Sequence, residues 1–149
     1  MMNIRPFTDG DAAEASVLIT TCLRDVTSEA YSEEAISHIC AEYTPEGLIE
    51  KSRTGPMLVA EEDDRIVATA RLENDTVFTV YVDPTMHRRR IGSRIMDAIE
   101  EHARKSGLRS VRVEAFVSST GFYARRGYES VRTMSIEGFG DVVEMRKEL

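Results

Sequence analysis

The sequence predicts a single mixed α/β (α+β) domain in which helices pack against a sheet of about seven strands. Apolar residues recur every three or four positions over much of the first third of the chain, which is typical of helices. The middle changes to short runs rich in β-branched and aromatic residues, which is typical of strands. A strand over 76–82, a helix over 91–106 and a strand over 110–115 then predict a right-handed crossover that leaves those two strands parallel.

The N-terminal third is predicted to hold one strand, over 3–7, and three helices. Side-chain oxygens that can cap the starts of these helices belong to Thr8, Ser32 and Thr44. One face of the first helix carries Ala15, Leu18, Ile19, Cys22 and Leu23. The third helix is short, and Pro45 suits its first turn because a proline lacks only an N–H group that has no partner there.

The rest of the chain is predicted to add six strands and two helices. The strands are expected over 57–60, 65–72, 76–82, 110–115, 128–136 and 141–145, and the helices over 91–106 and 118–126. In the longer helix, Glu100 is expected to form a supportive pair with Arg104, four residues on. Gly107 is the expected end of that helix.

Composition and charge narrow the classes of function. A chain of 149 residues is about the size of one domain. Its formal net charge of -7 argues against a general nucleic-acid-binding protein, which needs a cationic face to displace counterions from phosphates. No stretch approaches the roughly 20 apolar residues of a membrane span, and the N-terminus has no apolar signal core. We therefore expect a cytoplasmic protein that binds neither nucleic acid nor membrane.

The cysteine and histidine residues predict neither a disulfide nor a metal site. Cys22 and Cys40 lie on apolar helix faces and are expected to be buried, reduced thiols. The three histidines, His38, His87 and His102, are scattered without the spacing of metal ligands. No bound metal is expected.

Three consecutive arginines, at 88–90, stand between a predicted strand and a predicted helix. The first N–H groups of a helix have no partner within it, and the helix dipole favours an anion there. Cations are disfavoured at that end by ~0.3 to 1 kcal/mol each, so a cluster of three favours a phosphate site over the alternative, a solvated charge run. Gly92 would let a ligand approach the backbone, and Ser93 would offer a hydroxyl. The glycine-rich motifs of nucleoside-triphosphate and dinucleotide sites are absent.

The segment from Val80 to Ser93, V-Y-V-D-P-T-M-H-R-R-R-I-G-S, resembles the acyl-CoA loop of the GNAT superfamily of N-acetyltransferases. The pattern of that family, Gln/Arg-x-x-Gly-x-Gly/Ala, falls on His87, Arg90 and Gly92. Two positions depart from it, because His87 stands in place of glutamine or arginine and Arg90 in place of the first glycine. Arg90 is therefore expected to adopt a backbone conformation that glycine accepts more easily.

A second, distant segment resembles the same family. Residues 119–128, S-T-G-F-Y-A-R-R-G-Y, are similar to the family's A-x-x-F-Y-x-x-x-G-F, and the opening N-I-R-P-F-T-D-G-D resembles a common start. The resemblance implies one N-acetyltransferase domain over 1–149. It also implies the GNAT-like fold: a mixed, mostly antiparallel sheet of about seven strands flanked by about four helices, with a parallel β-α-β core that binds acyl-CoA.

The resemblance further implies an enzyme that transfers an acetyl group from acetyl-CoA to a primary amine of a small molecule, peptide or protein, by direct attack in a ternary complex. Acetyl-CoA would be bound at Val80, Tyr81, Val82, His87, Arg88, Arg89, Arg90, Ile91, Gly92, Ser93 and Ser119. The loop amides would hold the pyrophosphate and the preceding strand the pantetheine arm, which requires that strand to be bulged or splayed from its neighbour. Tyr123 matches the family's tyrosine that gives a proton to the departing thiolate.

Several points stay open at the level of sequence. The general base is undecided, and the candidates are Glu73 and Asp75, followed by Glu114, Tyr31 and Tyr43. The amine acceptor is expected between the helices over 12–52 and the hairpin after Gly138, and the excess of carboxylates suits a cationic acceptor. The changed residue at Arg90 motivates an alternative function, a non-catalytic module that binds CoA or another anion. A homodimer is possible but not indicated by any motif.

Overall fold

The computed structural model describes residues 2–26 and 31–149, which form a seven-stranded sheet and five α-helices. The strands are β1 (Met2–Pro6), β2 (Met57–Glu62), β3 (Arg65–Glu73), β4 (Thr76–Val82), β5 (Ser110–Phe116), β6 (Glu129–Ile136) and β7 (Gly140–Glu148). The helices are α1 (Ala12–Val26), α2 (Glu33–Cys40), α3 (Pro45–Ser52), α4 (Ile91–Lys105) and α5 (Thr120–Arg125). Short 3₁₀ turns join several of them.

The strands lie in the order β1-β2-β3-β4-β5-β7-β6. Only β4 and β5 are parallel among the described pairs, and the other neighbours are antiparallel. The mixed, mostly antiparallel sheet of seven strands is therefore confirmed, as is the parallel pair on either side of α4. The described part holds five α-helices, as the hydrophobic spacing predicted, where the family resemblance implied about four.

Two hydrophobic cores form, because successive side chains of a strand point to opposite faces of the sheet. Leu58 and Ala60 pack in the core that contains α4, whereas Met57 and Val59 pack in the core that contains α1, α2 and α3. The sheet is thus covered by helices on both faces, and its central strands are buried from both sides.

The helices of the N-terminal third begin near the expected caps. Ser32 and Thr44 each accept a hydrogen bond, at 3.1 Å, from the backbone N–H three residues further on. After Thr8 a 3₁₀ turn over Asp9–Asp11 intervenes, and α1 begins only at Ala12. Cys22 and Cys40 are unpaired and buried, as predicted. None of the described helices combines the length and the apolar character needed to cross a membrane.

The expected pair between Glu100 and Arg104 is wrong. Glu100 is only 2% exposed and lies on the buried side of α4. Its carboxylate accepts hydrogen bonds from the side chains of Arg126, Tyr128 and Lys147. Arg104 pairs instead with Glu101, at 3.3 Å. Spacing along a helix identified neighbours on the same helix, whereas the partners of Glu100 come from other elements.

Candidate functional site

The sheet opens between β4 and β5. The two strands are paired at Thr76 with Arg112 and at Val77 with Val113, and beyond these positions they separate. On its other side, β4 shifts register against β3 near Thr79, whose φ of 60° lies in the left-handed region. An irregularity of this kind bends a strand and interrupts its ladder. The predicted bulging and splaying of this strand is therefore present in the structure.

Two cavities meet at this opening. One, of about 460 Å³, lies against the starts of α4 and α5 and is called the α4-side cavity. The other, of about 350 Å³, lies against α2 and α3 and is called the α2-side cavity. Both are bordered by Val80, Tyr81, Phe116, Ser119 and Tyr123. Their volumes fall in the range of small-molecule sites, roughly 300 to 1,000 Å³.

Most of the residues predicted to bind acetyl-CoA come together at the α4-side cavity. Its border includes Val80, Tyr81, Val82, Arg90, Gly92, Ser93 and Ser119. Other bordering residues, which the motifs did not single out as ligand-binding, include Cys22, Phe116, Phe122 and Arg125. Ile91 does not border the cavity, because its side chain is 2% exposed and packs in the core.

The turn before α4 has the backbone that the sequence led us to expect. Asp83 caps a 3₁₀ helix over Pro84–Arg89 by accepting a hydrogen bond from the backbone N–H of Thr85 at 2.9 Å. Arg90 follows with φ 60° and ψ 22°, the left-handed conformation that glycine adopts without penalty. A side chain in this region costs about 1–2 kcal/mol. The expectation for Arg90 is confirmed.

Gly92 allows the first turn of α4 to approach α5 closely. A Cβ atom at residue 92 would lie 3.3 Å from the ring of Phe122 and 3.4 Å from Cγ2 of Val82. The neighbouring groups would therefore have to move for any side chain at this position. The absence of a side chain leaves the N-terminal amides of α4 at the cavity wall.

The arginines of the cluster make different contacts. Arg89 forms two hydrogen bonds with the Glu62 carboxylate, the longer at 2.9 Å, and Arg89 does not border either cavity. These bonds hold the pKa of Glu62 below its usual value. Arg90 is exposed and borders the α4-side cavity. The side chains of His87 and Arg88 lie outside the described part of the structure, so their predicted contacts stay predictions.

Tyr123 is one of the five residues that border both cavities. It is 7% exposed, borders both cavities, and packs edge-on against the rings of Phe122 and Tyr128, with centroids 5.1 and 5.5 Å away. Among the described residues, no hydrogen-bond partner of its hydroxyl is found. Burial raises the pKa of Tyr123, so the group stays protonated and can donate a proton near neutral pH.

The α2-side cavity combines aromatic walls with charged groups. The aromatic residues are Tyr43, Phe78, Tyr81, Phe116, Tyr123 and Phe139, and the charged ones are Glu42, Lys51, Arg71, Glu73 and Glu114. Lys51 lies 3.5 Å from Glu42, and Arg71 donates to Glu73 at 2.7 Å. Each cation thus has a carboxylate partner, whereas no ion pair of Glu114 is found in the described part of the chain.

Glu114 lies in an unusual electrostatic setting. In the antiparallel pairing of β5 and β7 it stands directly opposite Glu144, and like charges at such positions repel. The side chain is exposed at the cavity, but partial loss of water and the Glu144 carboxylate together raise the pKa of Glu114. Glu144 itself is held by Arg132 at 3.4 Å and by Arg112 at 3.8 Å.

The other two carboxylate candidates, Glu73 and Asp75, have settings that disfavour proton uptake. A hydrogen bond from Arg71 lowers the pKa of Glu73. Asp75 accepts two bonds from Arg112, at 3.0 and 3.1 Å, which lower its pKa, and it borders neither cavity. Tyr31 donates to the backbone oxygen of Asp141 and accepts from the N–H of Val117. Tyr43 packs edge-on against Tyr81, with centroids 5.6 Å apart.

Cys22 was predicted only as a core thiol, and it also borders the α4-side cavity. Its Sγ donates a hydrogen bond to the backbone oxygen of Val82 at 3.1 Å. Burial raises the pKa of this thiol to about 12, so it is protonated and unreactive near neutral pH. Among the described side chains, which leave out His87, no group of acidic, histidine or cysteine residues has an arrangement that could hold a metal ion.

Comparison with known proteins identifies the family. A family model described as an acetyltransferase (GNAT) domain matches residues 22–149. A GCN5-related N-acetyltransferase from Rhodopseudomonas palustris is 27% identical, with a TM-score of 0.91 over 99% of this chain and 95% of that one. A search of curated protein sequences finds no match.

Two further solved structures are alike in fold. The PaiA N-acetyltransferase from Thermoplasma acidophilum, in complex with coenzyme A, is 18% identical, with a TM-score of 0.85 over 100% of this chain and 99% of that one. The ribosomal-protein-S18-alanine N-acetyltransferase from Escherichia coli is 14% identical, with a TM-score of 0.72 over 99% of this chain and 94% of that one.

Proposed function

We propose, from the premise that this chain belongs to the GNAT family of acetyltransferases, that it transfers an acetyl group from acetyl-CoA to a primary amine by direct attack in a ternary complex. The observation that carries the proposal is the meeting of two cavities at the opening between β4 and β5, with Tyr123 bordering both. Such an arrangement suits two substrates that approach each other from opposite sides.

The α4-side cavity supports acetyl-CoA as the acetyl donor. The first N–H groups of α4, up to Ser93, would hold the pyrophosphate, with the guanidinium of Arg90 beside them. The edge of β4 beyond Val77 would bind the pantetheine arm as an added strand does. Arg89 would contribute its backbone rather than its side chain, because Glu62 already binds its guanidinium.

Glu114 supports the removal of a proton from the amine. It borders the α2-side cavity, where the acceptor would enter, and its raised pKa brings it nearer to neutral pH than an ordinary glutamate. The proton would pass to this carboxylate directly or through one water molecule. Glu73 is a weaker base because Arg71 lowers its pKa.

Tyr123 supports the departure of the thiolate. As the amine bonds to the acetyl carbon, negative charge would develop on the acetyl oxygen, and amides at the opened edge of β4 would stabilise it. The carbon–sulfur bond would then break, and the Tyr123 hydroxyl would donate a proton to the sulfur. A thiol has a pKa of about 8.5, so this proton helps turnover without being indispensable.

A thiol-release assay with acetyl-CoA and a panel of amines tests this function. We expect Tyr123→Phe to lower kcat by up to ~10²-fold, while calorimetry shows unchanged affinity for acetyl-CoA. Thr120→Val is the control, because it removes one hydroxyl from the same helix at a residue that borders neither cavity. Equal losses of kcat in the two variants would contradict the role of Tyr123.

The alternative function is a module that binds CoA without turnover. Its motivation was the arginine at residue 90, and the left-handed backbone of Arg90 shows that the turn forms with this side chain in place. Binding of acetyl-CoA with no thiol release from any amine would favour the module. Thiol release that depends on both acetyl-CoA and an amine would exclude it.

We further propose that 1–149 act as one domain in the cytoplasm. The seven-stranded sheet takes strands from both ends of the chain, which supports a single folding unit. Cys22 and Cys40 are unpaired, which suits a reducing compartment.

A further inference from the structure

We propose that the acetyl acceptor carries a neutral carboxamide next to its amine, as a peptide N-terminus does, together with an apolar side chain. This inference rests on the proposed acetyl transfer and specifies the acceptor. It follows from two side chains of the α2-side cavity, Arg71 and Glu114, and from the aromatic residues between which they lie.

Arg71 is part of the cavity wall, and one of its guanidinium nitrogens has no hydrogen-bond acceptor among the described residues. The residue is 4% exposed, and its guanidinium stacks over the ring of Phe78, 5.1 Å from the centroid. Nε donates to Thr79, while Nη1 donates to Thr54 and Glu73. Within the described chain no acceptor is found for Nη2, which is not fully enclosed by protein, and Arg71 borders the α2-side cavity. A buried donor of this kind suits an oxygen of the ligand.

The oxygen that Arg71 receives is that of a neutral carbonyl. Glu73 lies 2.7 Å from Nη1, so the charge of the guanidinium is already balanced. A carboxylate bound at Nη2 would lie beside the Glu73 carboxylate and be repelled by it. An amide oxygen accepts the same hydrogen bond without that repulsion.

The amine end of the acceptor is matched by Glu114. Lys51 is occupied by Glu42 at 3.5 Å, which leaves Glu114 as the carboxylate in the described cavity wall without an ion-pair partner. An arriving ammonium group would pair with this carboxylate, and after it has lost one proton to solvent, the neutral amine would give a second proton to Glu114 as the N–C bond forms. A carboxamide on the adjoining carbon would then face Arg71 across the same cavity.

The remaining wall suits an apolar side chain. Six aromatic residues border the cavity, together with Ile39, Ile136 and Val142. Aromatic walls also attract cationic groups, which favours an acceptor that arrives with its amine protonated. An acceptor whose side chain carries no charge therefore fits this cavity best.

Three small amines of one shape test the proposal. Phenylalaninamide has the amine and the carboxamide, phenethylamine lacks the carboxamide, and phenylalanine has a carboxylate in its place. We expect kcat/KM, calculated for the unprotonated amine, to be ~10- to 10²-fold higher for the amide than for phenethylamine, since Nη2 is left unpaired by the latter. The kcat/KM for phenylalanine should be lower than that for phenylalaninamide.

Variants at Arg71 test whether this side chain causes the preference. Arg71→Met should abolish the ratio of amide to phenethylamine, and Arg71→Lys should keep part of it. Arg53→Met is the matched control, because Arg53 is 67% exposed in its side chain and borders neither cavity. The ratio is measured within one preparation, so a partly unfolded variant does not distort it.

The outcomes separate this inference from the proposed function. If no amine releases thiol, the proposed function fails. If amines react, three results overturn only the acceptor assignment. They are equal kcat/KM for phenethylamine and phenylalaninamide, a higher kcat/KM for phenylalanine than for the amide, and an unchanged ratio of amide to phenethylamine in Arg71→Met. A short peptide beginning with phenylalanine distinguishes the sources: turnover at least equal to that of the amide supports a peptide, and its rejection supports a free amino-acid amide.

Discussion

Two glutamates, Glu100 in α4 and Glu114 in β5, meet opposite electrostatic conditions in the same molecule. Glu100 is 2% exposed and receives hydrogen bonds from Tyr128 at 2.7 Å, Lys147 at 2.8 Å and Arg126 at 3.2 Å. Glu114 borders a cavity, faces another carboxylate, and has no ion-pair partner among the described residues. Buried charges that hold a fold together are matched by donors, whereas an unmatched charge beside a cavity indicates a site for chemistry.

The network of Glu100 also reaches the candidate site. Arg126, which binds Glu100, also donates hydrogen bonds to Asp97 at 2.7 Å and to the backbone oxygen of Ser93 at 3.2 Å. Tyr128, the closest donor to Glu100, packs against Tyr123. The network therefore holds α4 and the chain after α5 in the arrangement that defines the α4-side cavity.

The largest effect in this comparison is expected from Glu100→Gln. Removing the charge leaves Arg126 and Lys147 without their shared anion, and breaking a buried ion pair in this way costs about 3–5 kcal/mol in the free energy of unfolding. Urea unfolding measures the loss. Glu101→Gln is the control, because Glu101 is exposed and its one ion-pair partner among the described residues is Arg104, so its loss should stay below about 1 kcal/mol. If Glu100→Gln lowered the free energy of unfolding by less than about 1 kcal/mol, Glu100 would not differ from an exposed glutamate.

Glu114→Gln should have the opposite effect to Glu100→Gln, with a loss of activity and no loss of stability. We expect kcat/KM to fall by at least ~10²-fold, since the proposed general base is removed. The free energy of unfolding should stay unchanged or rise by ~0.2–1 kcal/mol, because the repulsion from Glu144 disappears. Glu129→Gln, an exposed change in β6, should leave activity unaltered. Full activity of the Glu114 variant would contradict its role.

The pH dependence of stability gives a second measure of Glu114. Its pKa is raised in the folded state, so the folded chain binds this proton more readily than the unfolded chain does. Stability contributed by this group therefore falls as pH rises from the ordinary pKa of glutamate through the raised one, and it stays lower above that window. Urea unfolding of Glu114→Gln at several pH values should lack this decrease.

The smallest effect is expected from Glu144→Gln. Loss of the opposing carboxylate should lower the pKa of Glu114, so the acidic limb of the kcat/KM profile should move to lower pH. Arg112 on the same strand, released from Glu144, acts in the same direction, whereas Lys51 and Arg71 across the cavity keep their own partners. An unmoved limb would show that Glu114 does not control it.

Much of the fold could be predicted because its signals are local. The strands and helices followed from hydrophobic spacing, and the left-handed backbone of Arg90 followed from the motif position that it occupies. Contacts between distant parts of the chain could not be predicted. Arg89 and Glu62 are far apart in sequence, so the sequence could not show that they pair. The three arginines were therefore treated as one phosphate-binding group, although Arg89 is bound to Glu62.

The choice of base could not be made from sequence for the same reason. The position of Glu114 opposite Glu144 depends on the register of β5 and β7, and the partners of Glu73 and Asp75 depend on tertiary packing. A charged residue in a strand of alternating pattern reads as an ordinary exposed position. Only the register shows that one of these carboxylates differs from the rest.

The narrow space above Gly92 has a consequence for how the molecule tolerates change. The ring of Phe122 would lie only 3.3 Å from a methyl group at residue 92, and it packs against Tyr123 with centroids 5.1 Å apart. In a tightly packed interior such displacement passes from one ring to the next. Even an alanine at residue 92 would thus press Phe122 against Tyr123, so a change at the start of α4 would also lower turnover if Tyr123 has its proposed role.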